Sequence, residues 1–134
     1  MSKTNNILIL LNIIFLLYYS IQLIIFTDEF SISNLGSFNH AIAGLSEIIG
    51  IIFFSLALCL ILIIKNNIKG QIPIFFTIFL IQLLIFINFL RYIFTDSPGE
   101  TSVQSISLNA LIFFLGLISS IFFLYINYKS LKQF

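Results

Sequence analysis

Four long apolar stretches, separated by short polar links, take up most of this 134-residue chain. They run over about residues 7–26, 41–64, 72–94 and 108–128. Each is close to the roughly 20 residues that an α-helix needs to cross ~30 Å of hydrocarbon. In lipid every backbone N–H and C=O must be satisfied within its own segment, which excludes an open set of β-strands. The pattern therefore predicts four transmembrane helices.

The links between these segments are short or moderate in length. The middle link is a tight turn before Pro73, which stands at the start of the third segment, where a missing N–H is harmless. Residues 96–99, Asp-Ser-Pro-Gly, are a turn sequence in the last link. Short links favour antiparallel neighbours, so we expect an all-α fold, an up-down-up-down bundle of four transmembrane helices. It forms one integral membrane domain over residues 1–134.

Lysines mark one side of the membrane. They lie before the first segment, between the second and third, and after the fourth: Lys3, Lys65, Lys69, Lys129 and Lys132. The two opposite links carry acidic residues instead: Asp28, Glu29, Asp96 and Glu100. Because Lys and Arg concentrate in cytoplasmic loops, both termini are predicted to be cytoplasmic. The first segment is too long for a signal-peptide core, so we expect it to be retained as a helix.

Composition narrows the class of protein further. Charged residues make up 8% of the chain, against roughly 25% in soluble domains. The net charge of +1 argues against nucleic-acid binding, which needs a basic face. The chain shows no catalytic motif, no metal-ligand spacing and a single cysteine, Cys59. We therefore expect no metal or cofactor and lean toward a non-enzymatic protein. The abundance of Ile, Asn and Phe suggests an AT-rich bacterial genome, and hence a bacterial cytoplasmic membrane.

Each predicted helix brings a polar residue toward its outer half. Glu47 lies ~10 Å and Arg91 ~6 Å from the outer ends of the second and third helices, at 1.5 Å per residue. A charged side chain at a helix centre costs about 2.5–3.5 kcal/mol. We therefore predict an inward-facing ion pair between Glu47 and Arg91. The pair would belong to a polar cluster that either binds a ligand or only fixes helix register, together with Asn88, His40, Gln22, Asn109 and Tyr18.

Two further features concern helix packing. Ser46 and Gly50, and likewise Gly116 and Ser120, form small-x-x-x-small pairs. Such pairs let helices approach closely, so we expect them at contacts within the bundle. Gln82 lies across the third helix from the predicted polar cluster and stays outside it.

Two stretches carry a resemblance to a known group. Residues 38–44 (FNHAIAG), with Gly50 following, resemble the small-residue opening of the second helix in uncharacterised four-helix bacterial membrane proteins related to the DoxX-like group. Residues 90–98 (LRYIFTDSP) resemble the arginine that ends their third helix and the turn that follows. The resemblance implies a four-helix membrane fold and the position of Arg91. It implies little about activity.

Three functional hypotheses remain at this point. The first is a non-enzymatic membrane protein, either an accessory subunit or a binder of a lipid-like or other small ligand in an outer-half polar pocket. The second is an oligomeric small-molecule transporter, although small multidrug-resistance transporters carry their glutamate in the first helix and Glu47 is in the second. The third is a membrane enzyme using Glu47, His40 and Arg91 on a lipophilic substrate. The expected partners are the bilayer, a lipophilic ligand, and a membrane protein or further copies of the chain.

Overall fold

The computed structural model describes residues 3–95 and 103–132. Those residues form five α-helices: α1 (Lys3–Ile24), α2 (Thr27–Leu35), α3 (His40–Asn66), α4 (Ile72–Phe94) and α5 (Val103–Leu131). Of these, α1, α3, α4 and α5 are long and apolar enough to cross a membrane. The structure thus confirms the predicted all-α fold with four spanning helices. The turn predicted at residues 96–99 lies outside the described residues.

Local sequence signals fix several helix ends. The Asn39 side chain caps α3, its Oδ1 accepting a hydrogen bond of 2.9 Å from the Ile42 N–H. Pro73 occupies the first turn of α4, as its missing N–H predicts. In the turn between α3 and α4, Gly70 takes a left-handed φ of 70°. α5 begins at Val103, five residues before the predicted segment.

The short helix α2 was not expected, because residues 27–39 were predicted to be a loop. Asp28 and Glu29 lie in its first turn, where the helix dipole favours acidic side chains. Hydrogen bonding with the neighbouring Glu29 lowers the pKa of Asp28. Gly36 ends the helix at a left-handed φ of 69°, and its N–H donates to the Ile32 carbonyl. α2 packs against α1, α3 and α5, so it covers one end of the bundle.

The four spanning helices alternate in direction but do not all pack as neighbours. α1 packs most extensively against α3, and α4 against α5, while a smaller contact between α1 and α5 joins the two pairs. α3 and α4 follow each other in the chain, yet they do not pack closely together. The short link therefore keeps the ends of α3 and α4 close together, although the two helices do not pack against each other along their lengths. We call the end covered by α2 the α2 end, and the end with the α3–α4 link the turn end.

The core is built from aromatic and branched aliphatic side chains of all four spanning helices. Aromatic rings connect the helices in it: the Phe75 and Phe123 centroids are 4.3 Å apart, and those of Tyr19 and Phe113 are 4.7 Å apart. Such ring pairs contribute beyond their buried area. The fully buried apolar side chains among them include Ile9, Leu16, Leu60, Ile78 and Phe123.

Candidate functional site: a buried polar ladder and a groove between α1 and α5

Buried polar side chains occur in three layers along α1, at Asn5, Asn12 and Tyr19. The layers are seven residues apart, which is about two helical turns or 10 Å, so the three side chains share one face. α5 runs antiparallel to α1 and presents Asn127 and Ser120 to the first two layers at the same interval. We call the three layers the polar ladder.

The layer at the turn end is a reciprocal amide pair. The Asn5 Nδ2 donates to the Asn127 Oδ1 at 2.6 Å, and the Asn127 Nδ2 donates back to the Asn5 Oδ1 at 3.0 Å. The second proton of the Asn127 amide goes to the Phe123 carbonyl of its own helix. Both side chains are buried. The pair therefore joins α1 to α5 without placing a charge inside the bundle.

The middle layer brings together α1, α4 and α5. The Gln82 Nε2 donates to the Asn12 Oδ1 at 3.0 Å. The Ser120 hydroxyl lies 2.9 Å from the Asn12 Oδ1 and 2.6 Å from the Gln82 Oε1, so these two acceptors share its single proton. Gln82 is fully buried. It comes this close to α5 because Gly116 has no side chain; a Cβ there would lie 2.9 Å from the Gln82 Nε2.

The layer at the α2 end ties α2 to the bundle. The Tyr19 hydroxyl donates to the Asn109 Oδ1 at 2.8 Å. The Asn109 Nδ2 donates to the Asn34 Oδ1 of α2 at 2.7 Å and to the Ser105 carbonyl at 3.0 Å. The Ser105 hydroxyl donates to the same Asn34 oxygen at 2.7 Å. Every polar atom of the Asn109 side chain is thus used, which a buried amide requires.

The predicted ion pair between Glu47 and Arg91 does not form, and its inward orientation was wrong. Both side chains are exposed. The Arg91 guanidinium lies over the ring of Tyr92, 4.9 Å from its centroid, and no ion pair joins it to another described residue. The physical reason is helix placement, because α3 and α4 do not pack together. Arg91 also lies on the face of α4 opposite the buried Gln82.

The remaining residues of the predicted polar cluster are scattered. Asn109 is buried, but it belongs to the polar ladder and contacts Tyr19 and Asn34 rather than Glu47. Gln22 is half-buried. The other three are exposed and make no hydrogen bond to one another: His40, Asn88 and Tyr18. The outer-half pocket that they were predicted to line is therefore not assembled in the described residues.

Sequence reasoning missed most of the polar ladder, although a signal for it was present. Asn5, Asn12 and Tyr19 repeat every seven residues in a mostly apolar helix, and Ser120 and Asn127 repeat the same interval in α5. A polar residue that returns with the helical period inside a transmembrane segment indicates one buried face. Asn34 carried no comparable signal, because its contact depends on the unpredicted helix α2.

A groove of about 640 Å³ lies between α1 and α5. Its walls extend over eleven residues of each helix, which is about 15 Å along the helix axis. The lining is apolar apart from the side chains of Tyr18 and Ser119, and the Asn12 Nδ2 of the polar ladder lies 3.4 Å behind the Ser119 hydroxyl. The apolar residues that line it include Leu8, Leu11, Phe15, Ile112, Leu115 and Phe122.

Comparison of the chain with protein-family models, curated proteins and solved structures gave no match.

Proposed function

We propose that this chain is a small, non-enzymatic, multi-pass protein of the bacterial cytoplasmic membrane that holds a lipid-like molecule in the groove between α1 and α5. The groove itself is the observation that carries this proposal. Its volume of about 640 Å³ falls within the roughly 300–1,000 Å³ of typical ligand sites. It lies along the apolar middle of two spanning helices, so its opening faces bilayer hydrocarbon. An acyl or isoprenoid chain matches its length and its apolar walls.

The polar ladder supports the same proposal, because it sets the distance between the two walls of the groove. The Asn5–Asn127 pair and the Asn12–Ser120 contact join α1 to α5 behind the groove. Hydrogen bonds between spanning helices contribute about 0.6 kcal/mol each on average and up to about 1.7. Several bonds at fixed intervals hold the helices in one register. A groove with fixed walls loses less conformational entropy when a ligand binds.

The two other functional hypotheses have less support from the geometry. A membrane enzyme built on Glu47, His40 and Arg91 needs these side chains together, and they lie on two helices that do not pack closely. A transporter needs a polar route across the membrane. The layers of the polar ladder are about 10 Å apart and are separated by buried apolar side chains such as Ile9 and Leu16. Kinship with the DoxX-like group is part of the proposal and rests on residues 38–44 and 90–98.

The proposed topology places both termini in the cytoplasm. Reporter domains fused after Phe134 and before Met1 are expected to show cytoplasmic activity, because all five lysines lie on the side of the termini and the α3–α4 link. A fusion within residues 96–102 should report the opposite side. Replacing Lys65 and Lys69 with glutamine weakens the charge bias and should produce a mixed orientation. Termini on opposite sides of the membrane would contradict the four-span topology.

Filling the groove tests the proposed ligand. Leu115 lines the groove and is 57% exposed, and Ile121 on the same helix is 48% exposed but does not line it. We expect Leu115→Trp to abolish labelling of α1 and α5 by a lipid with a photoreactive acyl chain, because the indole occupies the groove. Ile121→Trp, the matched control, should leave that labelling unchanged. Peptide mapping by mass spectrometry locates the label.

The proposal fails if the label spreads evenly over all lipid-exposed helix faces in the unaltered protein, since that pattern describes bulk lipid. It also fails if Leu115→Trp and Ile121→Trp reduce labelling equally. Labelling that is replaced by a cross-link to a second protein would show that a helix, and not a lipid, occupies the groove.

A further inference from the structure

Two charged side chains point away from the bundle within its spanning helices. Arg91 lies nine residues after the buried Gln82, which is about two and a half helical turns and therefore the opposite face of α4. Glu47 follows the buried Ser46 by one residue, beside the face of α3 that packs on α1, and its side chain is exposed. Neither charge has a partner of opposite sign among the described residues.

The two charges lie at the same height in the membrane. Glu47 is 19 residues before Asn66, the end of α3 (66 minus 47), and Arg91 is 19 residues after Ile72, the start of α4 (91 minus 72). A short turn joins these two helix ends, so both residues are about 28 Å from it at 1.5 Å per residue. A carboxylate and a guanidinium are therefore level with each other, on two helices that run antiparallel.

We propose that copies of this chain associate through α3 of one copy and α4 of the next, with Glu47 of one copy paired with Arg91 of the other. Ionised groups facing lipid are costly, and pairing removes part of that cost. The pair does not form inside one copy, because α3 and α4 do not pack closely and Arg91 points outward. Copies related by rotation about an axis along the membrane normal hold each residue at the same depth in the membrane. Glu47 of one copy can therefore meet Arg91 of the next.

The spacing also sets the contacts around this pair. In an antiparallel contact that places residue 47 beside 91, one helical turn toward the turn end places residue 51 beside 87. Both positions carry isoleucine, and both side chains face outward, with 55% and 51% of their surface exposed. Apolar side chains thus flank the charge pair, as in a packed helix interface where the charges specify the partner.

Disulfide cross-linking between co-expressed copies tests the contact while leaving both charges in place. Cys59 is exposed, so the background carries Cys59→Ser. One copy carries Ile51→Cys with one tag, and the other carries Ile87→Cys with a second tag. Mild oxidation of the membranes is expected to give a product with both tags. The control replaces Ile51→Cys with Ile21→Cys, which is on α1, is 44% exposed and does not line the groove, and it should give no such product.

Charge reversal then tests the ion pair itself. Glu47→Arg or Arg91→Glu in every copy should weaken association about tenfold or more, because like charges then face each other. The two reversals combined in every copy should restore the cross-link, which also shows that the variants insert and fold. The proposal is overturned if no product with both tags forms from inserted protein, or if charge reversal leaves its yield unchanged. The proposal is also overturned if a chain that carries both Ile51→Cys and Ile87→Cys forms only an intramolecular disulfide.

Discussion

Replacing Gly50 with alanine is expected to destabilise the bundle by about 1–3 kcal/mol, the usual cost of overpacking, and Gly50→Leu by more. A Cβ at this position would lie 2.6 Å from the Ile24 Cγ1 and 3.0 Å from the Leu23 Cβ. A side-chain end can move aside, but the Leu23 Cβ is fixed to the backbone of α1. The added methyl group must therefore separate α1 from α3, which are two of the most closely packed helices.

Gly44 on the same helix is the matched control. A Cβ there would meet no atom within 4 Å. Gly44→Ala is therefore expected to be neutral or to stabilise the helix by up to about 1 kcal/mol, the difference between glycine and alanine in a helix interior. Unfolding by sodium dodecyl sulfate in mixed micelles, at a dilution where the chain is monomeric, measures both variants. If Gly50→Ala and Gly44→Ala are equally stable, the close approach of α1 to α3 does not depend on the absence of a side chain at position 50.

The sequence predicted the spanning helices because their existence depends on length and apolar composition, which can be read locally. It also predicted the close contacts at Gly50 and Gly116, since a small residue in an apolar helix has few other roles. α2 was missed because its nine residues lack a strong apolar period. Gly36, which closes that helix in the left-handed conformation, was a signal for it.

The candidate site was predicted less well, because the prediction assumed that consecutive helices are neighbours. Arg91 and Gln82 lie on opposite faces of α4, so one of the two must face outward. The prediction placed the Arg91 charge inside the bundle because an ionised group is unfavourable in lipid. The structure instead buries the Gln82 amide, which bonds to the Asn12 amide and the Ser120 hydroxyl, and leaves Arg91 one turn from the helix end. A long basic side chain there can extend toward the membrane interface, which lowers the cost of its charge without removing it.

Replacing Gln82 with methionine, which has a similar size and shape, is expected to cost about 1–3 kcal/mol of stability. The substitution removes the hydrogen bonds to Asn12 and Ser120 without leaving a cavity, so the loss reports on the polar ladder itself. The Asn12 oxygen and the Ser120 hydroxyl then lose a partner in a medium with no water to replace it. Thr77→Val is the control on the same helix, because the Thr77 hydroxyl is exposed and bonds only to the Pro73 carbonyl of α4. It should change stability by less than about 0.5 kcal/mol.

The three members of the middle layer should also behave as one unit. Asn12→Leu, Gln82→Met and Ser120→Ala each leave the remaining members with fewer hydrogen bonds, whereas the triple variant leaves no such member in this layer. Its loss of stability is therefore expected to be smaller than the sum of the three single losses, with a coupling of about 0.5–3 kcal/mol. Unfolding in mixed micelles measures all four variants. Strict additivity would mean that the three side chains do not bond to one another, and α4 would then be held to α1 and α5 by apolar packing alone.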